Sequence, residues 1–413
     1  MPLTITDARL GGETVALRCA NGLIEAIGPE VRPQPGDETI AAGGAPLLPP
    51  LVNGHTHAAM TLFRGSGGDL PLMPWLEERI WPVEAKLSEE DVYWGTRLAC
   101  AEMARSGTTR FWDMYWHPAA AAQAVLDAGM KATVGAPLID LDGDSAALRE
   151  TALRSLDELA ELGPAITPAL APHAIYTVSE DSLRWIGELS RERQVRVQIH
   201  LSETEQEVAD CLADHGARPA IYLDRLGFLN ERTVLAHGVW LDREELELIA
   251  ARGCTLVANP AANMKLAVGG VFPYPAAREA GAAIGLGTDG AGSNDSLDLF
   301  ADLKLFALSQ KHAAADPTAI AAEDAWAVAT GARAPLLGAT ELSAGAPADF
   351  LLLDPEAPEL SFGELASDLV YAAAGRAVDT VVVGGEVLVR GGEVPGLGGI
   401  VARARERASG LGL

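Results

Sequence analysis

The feature that most constrains this chain is a recurring unit: an apolar run that ends in a histidine or an acid and then gives way to a helical stretch. Val195-Arg196-Val197-Gln198-Ile199-His200 is one such run, and Thr233-Val234-Leu235-Ala236-His237 is a second. Ala282-Ala283-Ile284-Gly285-Leu286-Gly287-Thr288-Asp289 is a third, and helical segments such as Arg243 to Arg252 lie between them. Strands alternating with helices pack as parallel βα units. A chain of 413 residues, 48% of them apolar, can bury a barrel core and a smaller accessory domain. The predicted fold class is therefore α/β, a (β/α)8 TIM-like barrel, whose active site collects at the C-terminal ends of its strands.

A fourth run, Pro49-Pro50-Leu51-Val52-Asn53-Gly54-His55-Thr56-His57, carries two histidines one residue apart. Side chains alternate along a strand, so His55 and His57 share a face and can reach one metal ion while Thr56 points away. His-x-His is a weak signal alone, because most histidines are surface residues or satisfied core residues. Likewise His200 and Glu203, three apart across a strand-to-helix junction, could be a helix start with a carboxylate favoured by the dipole. Ser202 with Glu205 reads as a capping box that starts the helix there. What raises the odds is the set: His55, His57, His200, Glu203, His237 and Asp289 would all meet at one mouth. A shell of His55, His57, His200 and Asp289 suits one Zn²⁺ per chain, with Fe²⁺ as second choice and a position open for water. Glu203, His237 and Asp289 are then the catalytic candidates beside it.

Gly285-Leu286-Gly287-Thr288-Asp289-Gly290 satisfies G-x-G-x-x-G literally. It lies late in the chain and contains a ligand-type aspartate, so it is rejected as a dinucleotide fingerprint. His117, His215 and His312 have no strand-end context and are read as structural.

Residues 1–48 are short strands punctuated by turns, with a strong hairpin signal at Asn21-Gly22. The same texture returns in Ala348 to Asp354 and Val381 to Leu388. The predicted domains are a composite β-sandwich from 1–48 and 345–413, and a metal-dependent barrel over 49–344. The 57 acidic and 31 basic residues give a formal charge of −26, which repels nucleic acid and anionic membranes as partners. Cys19, Cys100, Cys211 and Cys254 are widely spaced, which indicates reduced thiols and a cytoplasmic location. No signal peptide is read in Met1 to Leu10, and no apolar stretch approaches the ~20 residues of a membrane helix. A homo-oligomer is compatible with all of this.

The segments LVNGHTHAAMTLFRG, IHLSETEQE, LAHGVWLDREELELIA, NPAANMKLAVGG and LGTDGAGSNDSLDLF resemble the amidohydrolase superfamily. Within it the resemblance is to the methylthioadenosine/S-adenosylhomocysteine deaminases, next to the triazine chlorohydrolases and guanine deaminases, and it runs from about Leu47 through Arg390. It implies hydrolytic deamination of a purine nucleoside, with Glu203 as proton shuttle. It further implies that Glu84, in a WP-x-E context, binds the ribose diol and that His173 contacts the base. Glu203, Asp289 and Ser293 complete the expected substrate contacts. Trp75 and Trp81 would wall the pocket, although two tryptophans at helical spacing are more often core. Binuclear relatives carry a modified lysine on the fourth strand, and Ala165 to Pro172 contains none, so one metal is expected. Relatives that take S-adenosylhomocysteine can clamp its carboxylate with arginines after the third strand. Here Ala136 stands in that stretch and Arg149 is one residue out of register. The rivals are a deaminase or chlorohydrolase of another heterocycle (guanine, pterin, triazine) and, in a different class, a non-catalytic scaffold.

Overall fold

The computed structural model describes residues 1–66, 69–140, 145–360 and 363–413. Its centre is an eight-stranded parallel sheet in strict sequence order: Leu51–Thr56, Thr108–Met114, Lys131–Leu138, Ile166–Pro172, Arg196–Leu201, Thr233–His237, Thr255–Ala258 and Ala283–Leu286. Helices follow the strands, among them Glu89–Arg105, Pro118–Asp127, Ser145–Ala160, Glu180–Arg193, Glu205–His215, Arg243–Ala251 and Leu299–Ala314. The strands are buried almost throughout, which is why they read as apolar runs instead of alternating ones.

The ring closes between the first and eighth strands. Asp289 N donates to His55 O at 3.0 Å, and Thr288 N donates to Asn53 Oδ1 at 3.1 Å. Glycine is required at this seam: a Cβ on Gly287 would lie 2.5 Å from Asn259 Oδ1 and 2.9 Å from His55 N. The glycines of the G-x-G run thus serve backbone approach between strands and not a phosphate.

Two antiparallel-rich sheets stand beside the barrel. One has strands Glu13–Ala20, Leu3–Leu10, Leu23–Gly28 and Glu38–Ala41. The other joins Leu47–Leu48 to Phe350–Leu353, Val378–Val383 and Glu386–Val389. Leu3, Ile5, Leu17 and Ile24 of the first pack on Leu47, Phe350, Leu352 and Val382 of the second, so both ends of the chain build one sandwich. Asn21 and Gly22 form its hairpin turn with φ of 53° and 79°, as a primed turn requires. The C-terminal helix Leu397–Leu411 lies against barrel helix Glu89–Arg105, where Arg407 Nε donates to Asp91 Oδ1 at 2.6 Å.

One local expectation fails. Ser202 does not cap the helix after the fifth strand; Thr204 does, its hydroxyl accepting from Glu207 N at 3.1 Å. Ser202 instead adopts a left-handed φ of 49°, which an N-cap does not. The carboxylate at the third helical position belongs to Glu207, and not to Glu205, the first residue of the helix.

Candidate active site

Five of the eight strand ends deliver a candidate side chain to the barrel mouth. His55 is in the first strand and His57 just past it; His173 follows the fourth, His200 is in the fifth, His237 ends the sixth, and Asp289 follows the eighth. His237 and Asp289 adopt positive φ (73° and 61°), a conformation that non-glycine residues hold only where surrounding structure imposes it.

Ligand atoms of His55, His200, His237 and Asp289 all lie within 4.8 Å of one another. His57 Nε2 joins them, 3.2 Å from Asp289 Oδ1 and 3.3 Å from His200 Nε2. In all four of these histidines Nδ1 faces an oxygen. His55 meets Gln198 Oε1 at 3.2 Å, His57 meets Met114 O at 2.5 Å, His200 meets His173 O at 2.7 Å, and His237 meets Asn263 Oδ1 at 2.8 Å. A carbonyl can only accept, so each Nδ1 carries a proton; burial keeps His55, His200 and His237 neutral, with an Nε2 lone pair turned inward, whereas His57 Nε2 faces Asp289. That tautomer lock is how proteins prepare imidazoles for a metal. Among the described residues the buried His55 Nε2 has no hydrogen-bond partner, its approach to Asp289 Oδ1 being 3.5 Å, a costly arrangement unless a cation occupies the centre. The donor set fits a zinc ion, and His237 is one of the four residues whose ligand atoms group within 4.8 Å.

Charge divides the acids. Burial opposes ionisation of Asp289, but His55 and His57 outweigh it and hold the carboxyl well below the usual range. Ser293 Oγ donates to its Oδ2 at 2.7 Å. Glu203 is buried 3.8 Å from His237 Nε2, and burial, reinforced by the Asp289 charge, pushes its carboxyl up to about 8. A carboxyl that high can both take and give a proton near neutrality.

The cluster floors a cavity lined by Glu84, His173, Glu203, His237, Asp289 and Ser293, with Trp75, Leu76, Ile80, Tyr115, Trp116 and Tyr176 as walls. Every sequence-predicted site residue but His55 lines this chamber, and His55 packs against His57 and His200 of the lining. Glu84 arrives on a short helical segment after the first strand, half-buried, with burial raising its carboxyl. That segment includes a π-turn over Leu76–Ile80, where Trp81 N bonds Leu76 O five residues back. Pro82 has no N–H for the Glu78 carbonyl, which favours the wider turn. Trp75 is buried in the wall, while Trp81 is 37% exposed at the entrance.

The chamber opens into an outer cleft that shares Trp81, Glu84, Trp116, Pro137, Ile139 and Tyr176 with it. Its lining is mainly apolar (Met73, Leu87, Ala119, Ala136, Leu148), with Glu89, Arg154 and Glu158 at its margin. Arg149 is engaged elsewhere: Nε donates to Ser182 Oγ at 3.1 Å and the guanidinium lies over Trp185. His117 bonds Leu87 O through Nε2 and borders this cleft, whereas His215 stacks on Tyr222.

Residues 47–388 match the amidohydrolase family model. The chain belongs to the amidohydrolase family. It is 47% identical over 95% of its length to a 5′-deoxyadenosine deaminase of Methanoregula boonei, covering 91% of that protein. It is 43% identical over 86% of its length to 5-methylthioadenosine/S-adenosylhomocysteine deaminase 1 of Archaeoglobus fulgidus, covering 85% of it. Among solved structures, an adenosine deaminase from Xanthomonas campestris with bound zinc superposes with a TM-score of 0.92 at 35% identity, over 99% of this chain and 98% of that one. Atrazine chlorohydrolase from Arthrobacter aurescens, at 22% identity over 98% of this chain and 100% of that one, shares the fold with a TM-score of 0.90.

Residues not foreseen are those that hold the machinery in place. Gln198, Asn263, Tyr115, Trp116 and Tyr176 carry no local signature, and only the barrel topology brings them to the mouth.

Proposed function

We propose that this amidohydrolase-family enzyme is a zinc-dependent hydrolytic deaminase of adenine nucleosides, giving the inosine analogue and ammonia. The observation that carries the reading is the convergence of four imidazoles, each with its Nδ1 held by an oxygen, Asp289 and a raised Glu203 on the floor of one chamber. The deaminase names of its relatives support it.

In this reading His55, His57, His200 and Asp289 hold the metal, and His237 flanks it. When bound, zinc supplies Lewis acidity that makes hydroxide accessible at neutral pH. His237 and Asp289 orient the attacking water. Glu203 takes its proton and delivers it to the purine ring nitrogen, because an amino-substituted ring carbon is a poor electrophile until the ring is protonated. The addition intermediate then collapses: its new hydroxyl gives its proton to the amino group, the carbonyl forms as the C–N bond breaks, and ammonia leaves. His173 contacts the base, Glu84 accepts from both ribose hydroxyls, and Ser293 steadies Asp289 through the 2.7 Å hydrogen bond. The outer cleft receives the 5′ substituent. Its mainly apolar lining, with Arg149 engaged by Ser182 and Trp185 and the exposed Arg154 bonded to Thr151, favours an uncharged tail over an amino-acid tail.

The test is ammonia release from a panel of adenosine, 5′-deoxyadenosine, 5′-methylthioadenosine, S-adenosylhomocysteine, free adenine, guanine and a chlorotriazine. We expect the uncharged nucleosides to match or exceed S-adenosylhomocysteine in kcat/KM. A missing charge-assisted pair for its carboxylate is worth about 1.5–3 kcal/mol, roughly tenfold to over a hundredfold. Glu84→Ala should raise KM for nucleosides only. Activity confined to free bases or triazines would reject the nucleoside reading.

A further inference from the structure

Glu203 has no hydrogen bond on its carboxylate among the described residues, so its aim depends on its backbone. That backbone is held in an unusual way. Glu207, a buried carboxylate one helical turn later, accepts from Ser202 N through Oε1 at 2.8 Å and from Glu203 N through Oε2 at 2.9 Å. In a standard capping box the carboxylate at the third helical position reaches back to the N-cap N–H. Here the N-cap is Thr204, and Glu207 passes it by to grip the two residues upstream. The grip fixes Ser202 at its left-handed φ of 49°. On the other side Ser202 O accepts from Trp240 N at 3.0 Å, and Leu201 O accepts from Gly238 N at 2.9 Å, which ties the same turn to the sixth-strand loop beside His237.

We propose that Glu207 is the positioning residue of the proton shuttle. Its two carboxylate oxygens lock the Ser202–Glu203 peptide so that the Glu203 carboxyl enters the chamber above the metal cluster. This rests on the assignment of Glu203 as shuttle. Glu207 itself contacts neither substrate nor metal ligand and is absent from the chamber lining.

The experiment is a double-mutant cycle on the zinc-loaded enzyme with 5′-deoxyadenosine. Glu207→Gln keeps the volume and one acceptor but turns an amide N–H₂ toward the second N–H; Glu207→Leu removes both acceptors. We expect kcat to fall about tenfold for the first and about a hundredfold for the second, with KM changed less than about twofold, because only delivery of the proton is impaired. Zinc content should stay unchanged, while amide exchange across 201–204 accelerates. In a Glu203→Gln background, where kcat is already about 10²–10⁴-fold down, either change at Glu207 should cost less than about twofold more. Full additivity of the two sites would overturn the proposal, as would unchanged kcat in both Glu207 variants. Insoluble or zinc-free protein from both would make Glu207 a scaffold residue and overturn it too. A Glu203→Gln enzyme with undiminished kcat would instead overturn the shuttle assignment, and the proposal with it.

Discussion

His57 differs from the other imidazoles of the cluster. Burial works against its cationic form, but the hydrogen bond and charge of Asp289 outweigh burial and lift it to about 9. Burial takes His55 the other way, to about 4. Below pH 9 the zinc ion must therefore displace a proton from His57, whereas His55 is already neutral. The sign follows: zinc affinity weakens as pH falls, by about tenfold per pH unit for one displaced proton. Calorimetric titration of zinc into the apoprotein at pH 7, in buffers of different ionisation enthalpy, should report roughly one proton released per zinc. Release of none would mean that His57 is neutral before loading or is not a ligand.

At the scale of elements, the barrel seam is the most demanding junction. Gly287 lets the backbone of the eighth strand approach that of His55, and its Cβ position is filled by Asn259 Oδ1 at 2.5 Å. Gly287→Ala should cost about 1–3 kcal/mol as overpacking and should weaken zinc binding in step, because the same shift moves His55. Thermal melts with and without zinc check this; wild-type values in both would show that the seam has slack. The strands and their terminal residues are legible in the sequence because buried parallel strands are continuous apolar runs and the candidate ligand residues sit at their ends. His55 with His57, His200, His237 and Asp289 could be picked out from strand position alone. The start of the helix after His200 was misread, since Ser202 with Glu205 mimics a cap at the wrong register. The partners that fix the imidazoles were illegible for a different reason. Gln198 is 143 residues from His55, and Asn263 is 26 from His237. Only the closed barrel makes such pairs neighbours.

At the scale of the molecule, the sandwich is tied to the end of the barrel remote from the mouth. Lys131, the first residue of the third barrel strand, donates through Nζ to Asp349 Oδ1 at 2.8 Å, and Asp349 also accepts from Gly384 N at 2.7 Å. Lys131→Ala leaves a buried carboxylate without its cation and should cost up to about 3 kcal/mol. Chemical denaturation should show that loss while kcat at 25 °C holds; a parallel loss of kcat would mean that the sandwich acts on the mouth. Neither result bears on the chemistry as directly as a zinc titration of activity. Apoprotein prepared by chelation is given increasing equivalents of zinc, and ammonia release from 5′-deoxyadenosine is measured at each step. The account predicts a linear rise that breaks at one equivalent per chain, with the inosine analogue formed mole for mole with ammonia. A break at two equivalents, or full activity without any metal, would contradict it.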